Sequence, residues 1–205
     1  MDSRSSFDAA AGAFLDLVAR VPVERYADPG LGEWDLRALI GHTGRSFLTV
    51  TTYLGTRATT VAAESPAAYF ALVSRLVAAD ASGAIARRGV EAGAALGDDP
   101  LTVLRASYAA AVAALDGLAG SDPVIETAGG GMRVSDYLPT RTFELVVHSL
   151  DIATAADLPF TPAPSALAQA LDIATVSALQ LGFGAEALLA LTGRRPLPSG
   201  CSVVP

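Results

Sequence analysis

The sequence predicts an all-α protein, a helical bundle with additional C-terminal helices, on three observations. Apolar residues recur at helical spacing through most of the chain, and cap residues stand just ahead of these periodic runs. Hydrophobic residues make up 51% of the 205 and aromatics only 6%, so the interior must be filled mainly by Ala, Leu and Val. Close-packed helices accept that palette better than a β-sandwich, which needs more β-branched and aromatic side chains.

The elements follow in order. Phe7, Ala10, Ala11, Phe14, Leu15 and Val18 mark a first helix over about 5–20, ended by a turn rich in Pro22, Pro29, Gly30 and Gly32. Asp35 is placed to cap a second helix, with Leu36, Leu39, Ile40, Phe47, Val50 and Tyr53 on its apolar face and Gly55 at its end. Ser65-Pro66 opens a third to about Ala79, with a continuation to Leu96 broken at Gly83. Asp99-Pro100 opens a fourth, with Leu101, Leu104, Tyr108, Val112 and Leu115 on one face. Between Asp122 and Asp136 the pattern changes to a short hairpin or irregular loop around Gly129-Gly130-Gly131. Ser135 and Asp136 are expected to cap a fifth helix to about Ala156, Ser165 a further one, and a last helix runs from 183 to Gly193. The whole of 1–205 reads as one domain, with a bundle core over about 5–157 and a C-terminal helical extension over about 163–193.

Charge excludes some functions. The net charge is −7, all 14 basic residues are Arg, and only Arg87-Arg88 and Arg194-Arg195 are adjacent, so no clustered basic face for nucleic acid is visible. Mean hydropathy is +0.42, yet charges such as Arg20, Arg75, Asp116, Asp151 and Glu186 interrupt the apolar stretches before the ~20 residues a spanning helix needs. The N-terminal residues Asp2, Arg4 and Asp8 leave no apolar signal core, so a cytoplasmic protein is expected. The single cysteine, Cys201, excludes an internal disulfide framework.

The chain contains two histidines, His42 and His148. Glu144 and His148 are four apart on one predicted helix, about one turn and roughly 6 Å along it. Arg141 lies three before Glu144 and Asp151 three after His148, giving a polar seam, while Phe143, Val146, Val147 and Leu150 form an apolar stripe. His42 shares a similar seam with Leu39, Ser46, Thr49 and Tyr53. A lone histidine on an apolar face is more often a satisfied core residue than a ligand, and many Glu–His pairs at this spacing are surface contacts. Two seam histidines, one paired with a glutamate, strengthen the metal reading. Two imidazoles and a carboxylate suit Zn²⁺, and also Ni²⁺ or Fe²⁺, and three protein ligands leave a position open. Arg141 and Asp151 orient the ligands, or anchor an anionic substrate, or form an ion pair with each other. Gly129 to Gly131 lacks the Lys and setting of a phosphate loop and reads as a turn. Trp34 reads as a packing residue where the second helix begins, and Cys201 as a tail thiol with no histidine near it in sequence.

The segment Gly32-Glu33-Trp34-Asp35-Leu36-Arg37-Ala38-Leu39-Ile40-Gly41-His42 resembles the Trp-to-His stretch of the DinB-like metal-binding bundles. Arg141-Thr142-Phe143-Glu144-Leu145-Val146-Val147-His148-Ser149-Leu150-Asp151 resembles the Glu-x-x-x-His helix of the mycothiol-dependent maleylpyruvate isomerase branch. Residues 189–198 are similar to the end of that branch's N-terminal domain. The resemblance implies a DinB-like four-helix bundle with a divalent metal, most often Zn, held by His42, Glu144 and His148. It also implies mycothiol as co-substrate, and hence an isomerase or S-transferase that acts on a small electrophile through a metal-bound thiolate. The full isomerase has a further α/β domain that contributes to its substrate site. This sequence stops at Pro205, so maleylpyruvate is no better an expectation than another electrophile. The alternative is a non-catalytic metal- or ligand-binding bundle. The expected partners are a small-molecule thiol and an electrophilic substrate, with no nucleic acid and no membrane, and a homodimer is compatible with the chain.

Overall fold

The computed structural model describes residues 2–79 and 83–203. Four helices form the bundle: α1 (Ser3–Val18), α2 (Leu36–Leu54), α5 (Pro100–Asp116) and α6 (Val134–Ala155). The helices α3 (Pro66–Ala78) and α4 (Ala84–Ala94) lie between α2 and α5 in the chain, and α7 (Pro164–Gln180) and α8 (Gly184–Leu191) follow α6. Residues 80–82 lie outside the described residues; Gly83, where the continuation of the third helix was expected to break, precedes α4 in the left-handed conformation at φ 66°.

Helix α2 sits at the centre, packed on α4, α5 and α6. Its Phe47 is fully buried against Phe14, Phe7 and Tyr108, with ring centroids 5.9, 6.1 and 5.3 Å away. Gly41 lets α4 approach to backbone contact, since a Cβ there would overlap Ala92 and Gly93. Asp35 caps α2 by accepting from the Ala38 amide at 2.7 Å, and Ser65 and Asp99 cap α3 and α5 in the same way.

Two expected caps are corrected. Helix α6 begins at Val134, with Ser135 and Asp136 inside its first turn, and the capping group comes from elsewhere in the chain. Asp122 accepts from both the Ser135 amide and the Ser135 hydroxyl at 2.8 Å. Helix α7 begins at Pro164, so Ser165 lies within it; proline suits the first helical position because its missing N–H would have no partner there.

The segment before α6 is an antiparallel hairpin, β1 (Val124–Thr127) and β2 (Gly130–Arg133), with Ile125 opposite Met132. The loop after α2 bonds to it through Ala58 N–H to Val124 O (3.0 Å) and Ala62 N–H to Gly131 O (2.7 Å). The far end of α6 is tied by Arg25, which donates to the carbonyls of Ala155 and Ala156. Anchored at both ends, α6 presents a fixed face to α2. Helix α7 packs on α6, α1 and α3, and α8 on α7. Among the described residues no helix is long and apolar enough to cross a membrane.

Candidate metal centre

The two central helices bring His42 of α2 beside Glu144 and His148 of α6, with one potential ligand atom from each within 4.8 Å of the others. The imidazole rings stand edge-on, centroids 5.1 Å apart at 82°. His148 Nε2 lies 3.1 Å from Glu144 Oε2, and its Nδ1 lies 3.0 Å from Asp151 Oδ2. A carboxylate can only accept, so each ring nitrogen of His148 carries a proton and donates it, Nδ1 to Asp151 and Nε2 to Glu144. Asp151 therefore bonds His148, and the alternative of an Arg141–Asp151 ion pair is not realised.

Electrostatics keep the three groups in unlike states. Burial lowers the His42 pKa, and the neighbouring His148 charge lowers it further, to about 4, so His42 is neutral. Burial alone would raise Glu144, but the His148 hydrogen bond and the Arg141 charge outweigh it and hold the carboxyl down at about 2. Burial would likewise lower His148, but Asp151 and Glu144 outweigh it and hold it up at about 9.

The donor set fits a divalent metal on three observations of these residues. One histidine is neutral, with its buried Nδ1 lacking any hydrogen-bond partner. The second is oriented by a carboxylate on its far nitrogen, the usual support for a ligating histidine. The third donor is an ionised carboxylate beside it.

The cluster lines a cavity of ≈ 290 Å³. Leu31, Arg88 and Ala128 are exposed and mark its open side; Ser46, Thr49, Tyr69 and Arg141 are buried and mark its floor. Ser46, Thr49 and Tyr53, which share the helical seam of His42, all reach this cavity. Arg141 reaches it too, whereas Asp151 stands behind His148 and does not line it. Cys201 is also outside it.

Sequence reasoning missed two contributors. Trp34 is more than a packing residue: its ring lies 4.4 Å from that of His42, and its indole N–H donates to Ala86 O at 2.9 Å, tying α4 down. The signal was its position, directly ahead of the Asp35 cap and eight residues before His42 in an aromatic-poor chain. Tyr69 comes from α3, and only tertiary packing brings it to α6.

The fold and this cluster define an all-α, DinB-like bundle with a His–Glu–His site suited to a metal ion. Residues 7–153 match the mycothiol maleylpyruvate isomerase N-terminal domain, and the chain belongs to that family. The match takes in α2 and the part of α6 that carries Glu144 and His148 and ends before α7, so the likeness of residues 189–198 to the family lies beyond it. No curated protein and no solved structure gives a significant match.

Proposed function

We propose that this protein is a metal- and thiol-dependent enzyme, an isomerase or S-transferase, acting on a small electrophile with mycothiol or a similar thiol as co-substrate. The observation that carries the reading is a three-donor cluster opening on a cavity that no cysteine lines. A nucleophilic sulfur would therefore come from solution. His42, Glu144 and His148 are the proposed ligands, and two imidazoles with one carboxylate favour Zn²⁺. When bound, the metal would depress the pKa of a coordinated thiol so that thiolate is present at neutral pH.

The protein's own groups have separate tasks. Asp151 fixes the ring orientation and tautomer of His148. Trp34 covers one face of His42 and shields it from water. Glu144 stays ionised beside both histidines. Arg141 would hold an anionic part of the substrate.

A second reading, a non-catalytic metal- or ligand-binding bundle, draws support from one observation. Among the described residues, and apart from the proposed ligands, no histidine, carboxylate or cysteine lines the cavity to act as a general acid or base.

The test is a Co²⁺-loaded protein titrated with mycothiol or a close analogue. A new sulfur-to-metal charge-transfer band is expected, lost or weakened in Glu144→Ala and retained in Cys201→Ser. A loaded protein that never shows the band supports the binding-module reading instead. A band that needs no added thiol and disappears in Cys201→Ser would identify the tail cysteine as the sulfur donor and overturn the role assigned to the external thiol.

A further inference from the structure

The floor of the cavity carries a buried guanidinium whose charge is offset only at a distance, by Glu144 one turn further along α6. Arg141 is only 8% exposed, yet none of the ion pairs among the described residues includes it. Its Nε donates to Thr140 Oγ1 at 3.0 Å and one terminal nitrogen to the Tyr69 hydroxyl at 3.4 Å. Both acceptors are neutral. The guanidinium carbon also lies 5.5 Å from the Tyr69 ring centroid and 5.0 Å from that of Tyr137. Aromatic faces and hydroxyls offset part of the cost of burying a cation, but a guanidinium has five N–H groups, and a planar fork of donors is left facing the cavity. The Tyr53 hydroxyl, on the same cavity, has no protein hydrogen-bond partner among the described residues. A methionine or leucine at 141 would fill the same space without the desolvation cost, so packing alone does not explain the arginine.

We propose that Arg141, with the hydroxyls of Tyr69 and Tyr53, forms a carboxylate subsite on the cavity floor, and that it selects electrophiles carrying a carboxylate close to the reacting carbon. The inference rests on the metal- and thiol-dependent reading for the word electrophile, but the subsite itself is a property of these three side chains. Carboxylate is favoured because a guanidinium fork matches two coplanar oxygens. Closeness to the reacting carbon follows from position: Arg141 and Glu144 are three apart on one helix, hence neighbours on its surface. Among the described residues the cavity carries Arg45, Arg88 and Arg141 against Glu144 alone, a balance that would draw such an anion in.

The test uses the full chain stripped of metal, so that no carboxylate can bind through an ion. Sodium propionate labelled with ¹³C at the carboxyl is titrated at constant ionic strength, with propionamide as the neutral isostere. Saturable binding of propionate and at least tenfold weaker binding of propionamide are expected. Arg141→Met should lose propionate binding at least tenfold while melting no lower than the wild type, because it removes the desolvation cost of a buried charge that no close ion pair holds. Tyr69→Phe, which keeps the ring, should weaken propionate several-fold. Three results would each overturn the subsite: no saturation in the wild type, equal binding of the amide, or unchanged binding in both variants. An Arg141→Met protein that melts far lower or fails to fold would show that the arginine is a structural pillar, and would overturn it as well. The thiol band of the Co²⁺ protein is read without carboxylate, so a failure here and a failure of the thiol-dependent reading are separate outcomes.

Discussion

Asp151 offers the sharpest test of how the ligand cluster is held. Among the described residues it touches neither the cavity nor the other donors, and its Oδ2 meets only the far nitrogen of His148, at 3.0 Å. Removing it in Asp151→Ala leaves the ring free to rotate or change tautomer, and removes the negative charge that makes Nε2 a better donor. Loss of such a partner costs about 10–100-fold in metal affinity. The Asp151 side chain is 31% exposed, so solvent screens it and the lower end is expected, about tenfold, or ~1.4 kcal/mol. Asp151→Asn keeps a neutral acceptor, worth roughly half a charged one, and should lose only about threefold. The assay is competition for Zn²⁺ against a chelator of known affinity, followed by emission of Trp34. That residue is the sole tryptophan of the chain and lies 4.4 Å from the His42 ring. A folded Asp151→Ala protein with wild-type affinity would refute the reasoning, as would an Asn variant weaker than the Ala.

Two further predictions follow from the same geometry. Metal added to chelated protein at about 100 times its Kd should stabilise the native state by ~2.7 kcal/mol, roughly 5–10 °C in Tm for a chain of this size, and His148→Ala should abolish the shift in a thermal melt. Gly41→Ala should cost about 1–3 kcal/mol in a denaturant titration, because its Cβ would overlap the backbone of Ala92 and Gly93 and push α4 away; wild-type stability would mean that the two helices separate freely.

Much of the bundle was legible because local chemistry and tertiary packing agree. Asp35, Ser65 and Asp99 cap helices where their short polar side chains say they should, and the apolar faces they introduce supply buried core residues such as Leu39, Phe47, Tyr69 and Leu104. The boundary of α6 was missed because its capping carboxylate, Asp122, is 13 residues away from Ser135 and reaches it only through the hairpin. Pro139 lies inside α6 without ending it, so the usual helix-breaking rule also misleads there. At the site, spacing picked out Glu144 and His148 on one seam and His42 on another, but it could not say that the seams face each other. It also left Asp151 open between orienting a ligand and pairing with Arg141, although ten residues of one helix separate Asp151 from Arg141 by about 15 Å. Tyr69 and Trp34 carry no periodic signal that links them to the histidines.

Helix α6 divides its labour between the site and the C-terminal helices. Its polar residues Arg141, Glu144 and His148 face the cavity shared with α2, while Phe143, Val146, Val147 and Leu150 line a second cavity, of ≈ 580 Å³, against α7, α8 and the tail. Phe143 and Val147 border both cavities, so a single layer of apolar side chains separates them. Cys201 lies on the far side of that layer, in the apolar cavity. A low-dielectric wall strengthens the interactions among charged groups on the polar side, and it also keeps the tail thiol from the donor cluster. On the proposed thiol-dependent reading, the wall leaves the sulfur to be supplied through the open side, past Leu31 and Arg88, where an anionic molecule would meet positive charge first.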